Sequence, residues 1–298
     1  STTTPATPTT TTTTSTTTPA TPTTTTTTST TTTRSTTTTT IIASACNRLA
    51  GTDVPGKVRF FIVPCGFDDA NPSHVARFEK ISGMAANAIA GTEPYKPNGD
   101  KFAVYRVDDY RGKTINHANY GCWYNSLLVD AAVTCGFEQT PGPAKSNPPG
   151  NQKDQIIALS PSGGSNGGNF VDGNGYFSIL GADDASYDAY VPYATMHETG
   201  HTIGNFAHTC YGGPNTANHY VNCGETKISD DQPCQEWNSG EYSNWVRAGD
   251  PAFGCYSWCG DADNRYKPWN TDTSIMCFGS LLKYTPVERK FLYDVLTS

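Results

Sequence analysis

The chain has 298 residues, 36% of them hydrophobic, and a formal net charge of −7 at pH 7. No apolar run approaches the roughly 18 residues that a membrane-spanning helix needs, so we expect no transmembrane segment. The acidic balance and the lack of a basic patch or a nucleic-acid-binding motif argue against a nucleic-acid partner.

Residues 1–40 form a Thr-rich segment unlike the rest of the chain. Thr occupies 29 of these 40 positions, and the second block of 14 residues repeats the first without change. The segment cannot bury enough apolar surface to offset the entropy lost on ordering, so we predict that it is disordered. Its composition is typical of an O-glycosylated, mucin-like linker, and equally of an unmodified spacer. We expect one folded domain over residues 41–298, with subdomains at about 41–204 and 205–298.

Ten cysteines lie in the predicted folded part. The even count, together with a Thr-rich stalk, predicts an oxidising compartment, about five disulfides and a secreted, extracellular protein. A second zinc site is the alternative interpretation. It is less favoured, because Cys255 and Cys259 are the only closely spaced pair and no second pair matches them.

Alternating and helical apolar patterns predict a mixture of strands and helices in the first part of the fold. Ser73 is a plausible N-cap for the first helix. A Gly/Ser/Asn-rich loop is expected over residues 162–175. The predicted elements, in chain order, are a buried strand at 57–67, a helix at 73–91, a strand at 101–112, a helix at 122–137, and strands at 154–164 and 175–182.

The second part of the fold is predicted to be less regular. A helix is expected from about Val191 to Gly204, and residues 209–273 are rich in Gly, Asn and Cys with little periodicity. A capped amphipathic helix follows at 285–296, because Thr285 precedes Pro286 and Glu288 lies three residues further on. These elements predict an α+β fold with an irregular, disulfide-rich C-terminal part that ends in a helix.

The predicted helix that ends near Gly204 carries the pattern H-E-x-x-H. His197 and His201 are four residues apart, so a helix places them one turn apart on the same face, where two imidazoles can bind one cation. Glu198 lies about 100° further round the helix and can act on a bound water without binding the metal. The pattern therefore predicts two zinc ligands and a carboxylate general base.

Two further residues extend this prediction. Gly204 stands where the helix needs to end, and Gly can take the left-handed conformation that turns the chain. The chain can then return His208 to the same metal. Three imidazoles leave a fourth position for water, which is the arrangement of a catalytic zinc site, and an all-imidazole site favours zinc over other divalent ions.

The segment TDTSIMCFG (271–279) contains Met276, and with the histidine cluster it makes the chain resemble the metzincin metallopeptidases. Their pattern is H-E-x-x-H-x-x-G-x-x-H followed by a tight turn whose methionine lies beneath the zinc. The motif HETGHTIG is similar to that of secreted bacterial and algal members, such as the gametolysin-like enzymes. The resemblance implies an N-terminal mixed, twisted sheet with two or more helices, one catalytic Zn²⁺ ion, and a structural role for Gly204 and Met276. Cys277 is expected to link the turn to the long loop by a disulfide.

The chain departs from the family pattern at two points. Three residues, not two, separate Gly204 from His208, so either a one-residue bulge keeps His208 as the third ligand or His219 or Asp230 replaces it. Phe278 stands where astacin-like members have a Tyr whose hydroxyl stabilises the transition state. Oxyanion stabilisation would then fall to the metal and to backbone donors.

In metzincins a strand above the active-site helix binds an extended substrate peptide along its edge. The segment 175–182 is the best candidate for that strand, and an interior strand is the alternative. Tyr193 and Trp258 are candidate residues of the cleft. The remaining histidines, His74, His117 and His219, are interpreted as surface or hydrogen-bonded residues without a metal role.

The leading functional hypothesis is a secreted zinc endopeptidase that hydrolyses protein or peptide substrates, with glycoproteins as one candidate class, and uses Glu198 as general base. The competing hypothesis is a catalytically inactive, zinc-containing module that binds a cell surface or matrix. The extra residue before His208 and the missing Tyr favour the second hypothesis. The retention of Glu198 favours the first, since a structural zinc site has no use for it.

Overall fold

The computed structural model describes residues 45–115, 122, 125–138, 153–161, 168–171, 176–179, 188–204, 206, 208, 222–224, 226–229, 232–246, 253–259, 262–269, 274–277 and 282–298. All of them belong to the unit Thr39–Ser298, the second of two units into which the chain divides. The predicted Thr-rich linker lies outside the described residues.

The first part of the fold is a six-stranded sheet in the order β1-β3-β2-β4-β6-β5. Its four central strands are parallel, and each of the outer strands, β1 and β5, runs antiparallel to its neighbour. The sheet strands are β1 (Cys46–Gly51), β2 (Val58–Pro64), β3 (Phe102–Val107), β4 (Asp154–Leu159), β5 (Gly168–Val171) and β6 (Tyr176–Ile179).

Four α-helices and a small second sheet complete the described architecture. The helices are α1 (Pro72–Gly91), α2 (Ser126–Thr134), α3 (Tyr190–Gly204) and α4 (Pro286–Thr297). Strands β7 (Phe253–Cys259) and β8 (Ala262–Trp269) form an antiparallel pair, and short 3₁₀ helices lie at Gln235–Trp237 and Tyr242–Trp245. The predicted α+β class, with a disulfide-rich C-terminal part that ends in a helix, is confirmed.

Strand β2 shows why the sheet is covered on both faces. It is an almost continuous apolar run, as expected for a parallel strand that is buried on both sides. Phe60 and Ile62 point into one core with residues of α1, α3 and α4, whereas Phe61 and Val63 point into a second core with residues of α2. The sheet therefore separates the single helix α2 from the three helices on its other face.

Helix ends follow capping chemistry, with one correction to the sequence analysis. The N-cap of α1 is Asn71, not Ser73, because the Asn71 side chain accepts a hydrogen bond from the Ser73 N–H and Pro72 occupies the first turn. The predicted capping box of α4 is confirmed: Thr285 accepts from the Glu288 N–H, and the Glu288 carboxylate accepts from the Thr285 N–H.

The described part of the segment 175–182 forms β6 (Tyr176–Ile179), which is an interior strand and not the sheet edge. It pairs with β4 on one side and with β5 on the other, so its backbone is not available to an added peptide. Strand β5 lies within the segment 162–175 that was predicted to be a loop. It is the outer strand on this side of the sheet, next to α3. The alternative interpretation, that 175–182 lies inside the sheet, is therefore the correct one.

The cysteines of the described part all form disulfides. Cys255 and Cys259, the only closely spaced pair, join different partners, so they do not form a zinc knuckle with each other. Cys277 is also disulfide-bonded. The described pairs are Cys46–Cys135, Cys65–Cys122, Cys223–Cys259 and Cys234–Cys255. Such a disulfide set is typical of proteins from oxidising compartments.

No helix among the described residues is long and apolar enough to cross a membrane.

A buried ion pair joins two central strands of the sheet. Arg59 of β2 lies directly opposite Asp154 of β4, and its Nε and Nη2 atoms donate to the two carboxylate oxygens at 2.8 and 2.6 Å. The Glu138 N–H donates to the same carboxylate at 2.7 Å. Burial raises the pKa of Asp154, and the bonds from Arg59 act in the opposite direction.

We predict that Arg59→Met lowers the free energy of unfolding by roughly 2–3 kcal/mol, because it leaves the Asp154 carboxylate buried without its counter-charge. The effect is below that of a fully buried pair, since 21% of the Arg59 side chain is exposed. Arg111→Met is the matched control: it removes a similar pair with Asp109 at the surface and should cost less than about 1 kcal/mol. Urea unfolding of the three proteins measures both values, and equal losses would contradict the prediction.

Candidate metal centre

Helix α3 is a central helix that carries two of the clustered histidines. It packs against α1, α4 and the strands β5 and β6. Eleven of its fifteen residues are buried, so it has no extended polar face. His197 and His201 lie one turn apart on this helix, and both imidazoles are largely enclosed. The polar groups of such a helix need partners inside the fold.

Three histidine side chains converge at the C-terminal end of α3. The Nε2 atom of His197 lies 3.1 Å from that of His201 and 3.1 Å from that of His208. The Nε2 atoms of His201 and His208 are 3.2 Å apart. The three side chains form the one group of at least three potential ligands found among the described residues. His208 therefore lies in the cluster although three residues separate it from Gly204.

Backbone carbonyls orient two of the three imidazoles. His197 Nδ1 donates to the carbonyl of Ile275 at 2.8 Å, and His201 Nδ1 donates to the carbonyl of Phe206 at 2.7 Å. A carbonyl can only accept, so the proton of each ring resides on Nδ1 and the lone pair is on Nε2. The two Nε2 lone pairs point at each other and at the third imidazole, an arrangement that a bound cation stabilises.

The geometry and protonation of the cluster fit a divalent metal. Three nitrogen ligands at roughly 2.0–2.1 Å from a tetrahedral zinc ion lie about 3.3 Å apart, close to the spacing of the Nε2 atoms. Burial lowers the pKa of His197 to about 4 and that of His201 well below its usual value. Both rings are therefore neutral near pH 7, which is the form that binds metals. The cluster can hold a metal ion.

Glu198 lies beside the cluster without belonging to it. Its side chain is buried, and burial raises the pKa of its carboxyl to about 8. A cation held by the neighbouring imidazoles would act in the opposite direction and favour the carboxylate. Its place next to His197 on α3 matches the position that the H-E-x-x-H pattern predicts for a base.

A short turn formed by Ser274–Cys277, which we call the methionine turn, lies against helix α3. Met276 is fully buried, and a side chain at Gly200 of α3 would come within 2.4 Å of its sulfur atom. The Cys277 N–H donates to the Ser274 carbonyl at 2.9 Å, and the Met276 N–H donates to Ser274 Oγ at 3.0 Å. The turn therefore packs its methionine directly against the histidine-bearing helix.

Gly204 ends α3 as predicted, but for a different reason. Its φ is not in the left-handed region. Instead, the ring of Phe206 lies against it, and a Cβ atom at Gly204 would come within 2.5 Å of that ring. The Phe206 N–H donates to the Gly200 carbonyl at 3.2 Å. Phe206 thus folds back over the end of the helix, where its own carbonyl meets His201.

The structure therefore brings together His197, His201 and His208, with Glu198 and Met276 beside them. His74 lies outside the cluster. Of the other residues that the sequence analysis considered, His117, His219, Asp230 and Phe278 lie outside the described residues.

Sequence reasoning missed the groups that orient the ligands. Two of them are the carbonyls of Ile275 and Phe206, which carry no signal in the side-chain sequence. The third is Tyr193, whose hydroxyl lies 3.2 Å from His197 Nδ1 and had been considered only as a cleft residue. Its position one turn before His197 is the one signal that could have found it.

No protein-family model matches the chain, and no curated protein is significantly similar to it. The arrangement of the three histidines is consistent with an H-E-x-x-H-type site.

We predict that Gly200→Ala lowers stability by about 1–2 kcal/mol, because the added methyl group must displace the buried Met276 side chain, and overpacking outweighs the gain in helix propensity. Gly83→Ala is the matched control in α1: its Cβ meets no atom within 4 Å, so this change should stabilise the protein by roughly 0.5–1 kcal/mol. Thermal unfolding shows whether each variant is less stable or more stable than the wild type. A Gly200→Ala protein as stable as the wild type would show that the methionine is not tightly packed.

Proposed function

We propose that this protein is a secreted zinc endopeptidase of the metzincin type. The observation that carries the proposal is the convergence of three imidazoles with Glu198 beside them and the methionine turn packed against their helix. A structural zinc site has all its positions filled by protein ligands, whereas three histidines leave one position open. The disulfides support an extracellular location.

Peptide hydrolysis at this site would divide the work between the metal and Glu198. A zinc ion held by the three histidines would lower the pKa of a bound water towards ~7 and polarise the substrate carbonyl. Glu198 would accept a proton from the attacking water and would then donate it to the departing amine as the C–N bond breaks. Within the described residues, no group donates a hydrogen bond to the Glu198 carboxylate, so both oxygens are available for this role.

Substrate binding is best supported at β5, and not at the strand over 175–182 that the sequence suggested. An extended peptide that adds to the edge of β5 would lie next to α3 and therefore near the histidines. Edge pairing uses backbone hydrogen bonds, so it accepts many side chains.

If the substrate pairs through its backbone, methylating a peptide backbone nitrogen that pairs with β5 should slow the cleavage of that peptide. We expect at least one N-methyl position away from the scissile bond to lower kcat/KM by about tenfold or more. A scan of N-methylated copies of one peptide measures this. Uniform cleavage across the scan would exclude backbone pairing.

One of the two observations that favoured the competing proposal, an inactive zinc module, no longer supports it. The extra residue before His208 does not remove this histidine from the cluster. The remaining reason is Phe278, which lacks the hydroxyl of the astacin-like Tyr.

The central experiment measures zinc content and casein cleavage in parallel for the wild type, Glu198→Gln and His208→Ala. We expect Glu198→Gln to keep zinc and to lose activity by about a hundredfold or more, since only the base is removed. We expect His208→Ala to lose both, because two imidazoles bind zinc much more weakly than three.

Two controls match these variants. Glu79→Gln makes the same chemical change on the surface of α1, and His74→Ala removes a histidine outside the cluster; both should keep zinc and activity. A Glu198→Gln protein with full activity would refute the mechanism. A wild type that holds zinc but cleaves no unfolded protein would favour the binding module.

A further inference from the structure

The hydroxyl of Tyr193 lies between a metal ligand and the methionine turn. Tyr193 is located on α3, one turn before His197. Its oxygen lies 2.8 Å from the carbonyl oxygen of Cys277 and 3.2 Å from His197 Nδ1. The same Nδ1 atom lies 2.8 Å from the carbonyl of Ile275. The imidazole is thus linked to both residues that flank Met276, directly to Ile275 and through Tyr193 to Cys277.

The direction of these hydrogen bonds follows from the donors available. The carbonyl of Cys277 can only accept, so the Tyr193 hydroxyl donates its single proton there. The Tyr193 oxygen then faces His197 as an acceptor, and the Nδ1–H is shared between it and the carbonyl of Ile275. Had the hydroxyl donated to Nδ1 instead, the ring proton would lie on Nε2 and block the metal position. Tyr193 therefore favours the tautomer that binds metal.

Tyr193 also restrains the imidazole through its ring. The two ring centroids are 5.5 Å apart with an interplanar angle of 37°. The hydroxyl contacts Nδ1, while the metal-binding atom Nε2 faces the other two histidines. The hydroxyl thus lies on the side of the ring away from the reacting atoms. It does not replace the Tyr that astacin-like members place beside the zinc.

The methionine turn is itself held at its far end, so it is a firm anchor for this contact. Ser274 Oγ donates to the buried Glu288 carboxylate at 3.2 Å, and the Ile275 N–H donates to the Lys283 carbonyl at 2.9 Å. The Tyr193 hydroxyl closes the opposite end, at Cys277. Removing it would take away one hydrogen bond at this end of the turn, where the Cys277 disulfide remains, and one acceptor of His197 at the same time.

We infer that Tyr193 is a positioning residue of the metal site, which fixes the tautomer and orientation of His197 by joining it to the methionine turn. This inference rests on the proposed metal binding, but not on peptidase activity. Partners of metal ligands that act in this way typically change metal affinity by about 10- to 100-fold.

The test compares Tyr193→Phe with Tyr190→Phe. Both substitutions remove one hydroxyl from α3, and the rings of Tyr190 and Tyr193 lie 5.9 Å apart, but no hydrogen bond joins Tyr190 to His197 or to the turn. Zinc and cobalt affinities are measured by competition with a chelator, and the visible spectrum of the cobalt form reports the ligand geometry. Thermal unfolding of the metal-free proteins separates a loss of stability from a loss of affinity.

We expect Tyr193→Phe to weaken metal affinity about tenfold or more and to shift the cobalt spectrum, and Tyr190→Phe to change affinity less than twofold. Equal affinities for Tyr193→Phe and the wild type would overturn the inference, as would equal losses in both variants or a lower unfolding temperature without a change in affinity. A wild type that binds neither metal would overturn the inference and the proposed function together. Weakened binding by Tyr193→Phe in a wild type without peptidase activity would support the inference and refute only the peptidase.

Discussion

The hydrogen bond from His197 Nδ1 to the carbonyl of Ile275 connects the two parts of the fold at the metal centre. It joins residues 78 positions apart, one on the helix that packs on the sheet and one in the C-terminal part. Without this acceptor the Nδ1–H would lose its shorter hydrogen bond, and with it a constraint on the orientation and tautomer of the imidazole. The histidine motif therefore needs the distant methionine turn, although no residue of that turn contributes a ligand.

Glu288 stabilises the turn that supplies this carbonyl. Its fully buried carboxylate accepts from Asn222 Nδ2 and from the Thr285 N–H at 2.8 Å, and also from Ser274 Oγ. Burial raises the pKa of Glu288, and these donated bonds act in the opposite direction. One carboxylate thus caps α4, holds the methionine turn and contacts the segment next to Cys223. A capping box alone requires only the bond from Thr285, so the other two connect the helix end to the site.

Local chemistry made part of this arrangement predictable. The four-residue spacing of His197 and His201 and the Thr285-Pro286 helix start are short-range signals, and both elements form where the sequence places them. Strand β6 was taken for a sheet edge, because strand order depends on pairing between distant segments. The sequence of a four-residue strand does not show which strands lie next to it. The role of Gly204 was misjudged for a related reason. The ring of Phe206 leaves no room for a side chain at this position, and the helix pattern in the sequence does not reveal that contact. Backbone acceptors such as the Ile275 carbonyl are invisible to any reading of side-chain types.

The electrostatics of the site favour a bound cation. Burial keeps His197 and His201 neutral and raises the pKa of Glu198 to about 8, so the protein alone places two imidazole lone pairs and a poorly solvated carboxyl next to each other on α3. A divalent ion at the Nε2 atoms would satisfy the lone pairs and favour the ionised carboxylate in one step. Because the unfolded chain lacks this preformed arrangement, the same ion would stabilise the folded state, and metal binding and folding would be coupled at the point where α3 meets the methionine turn.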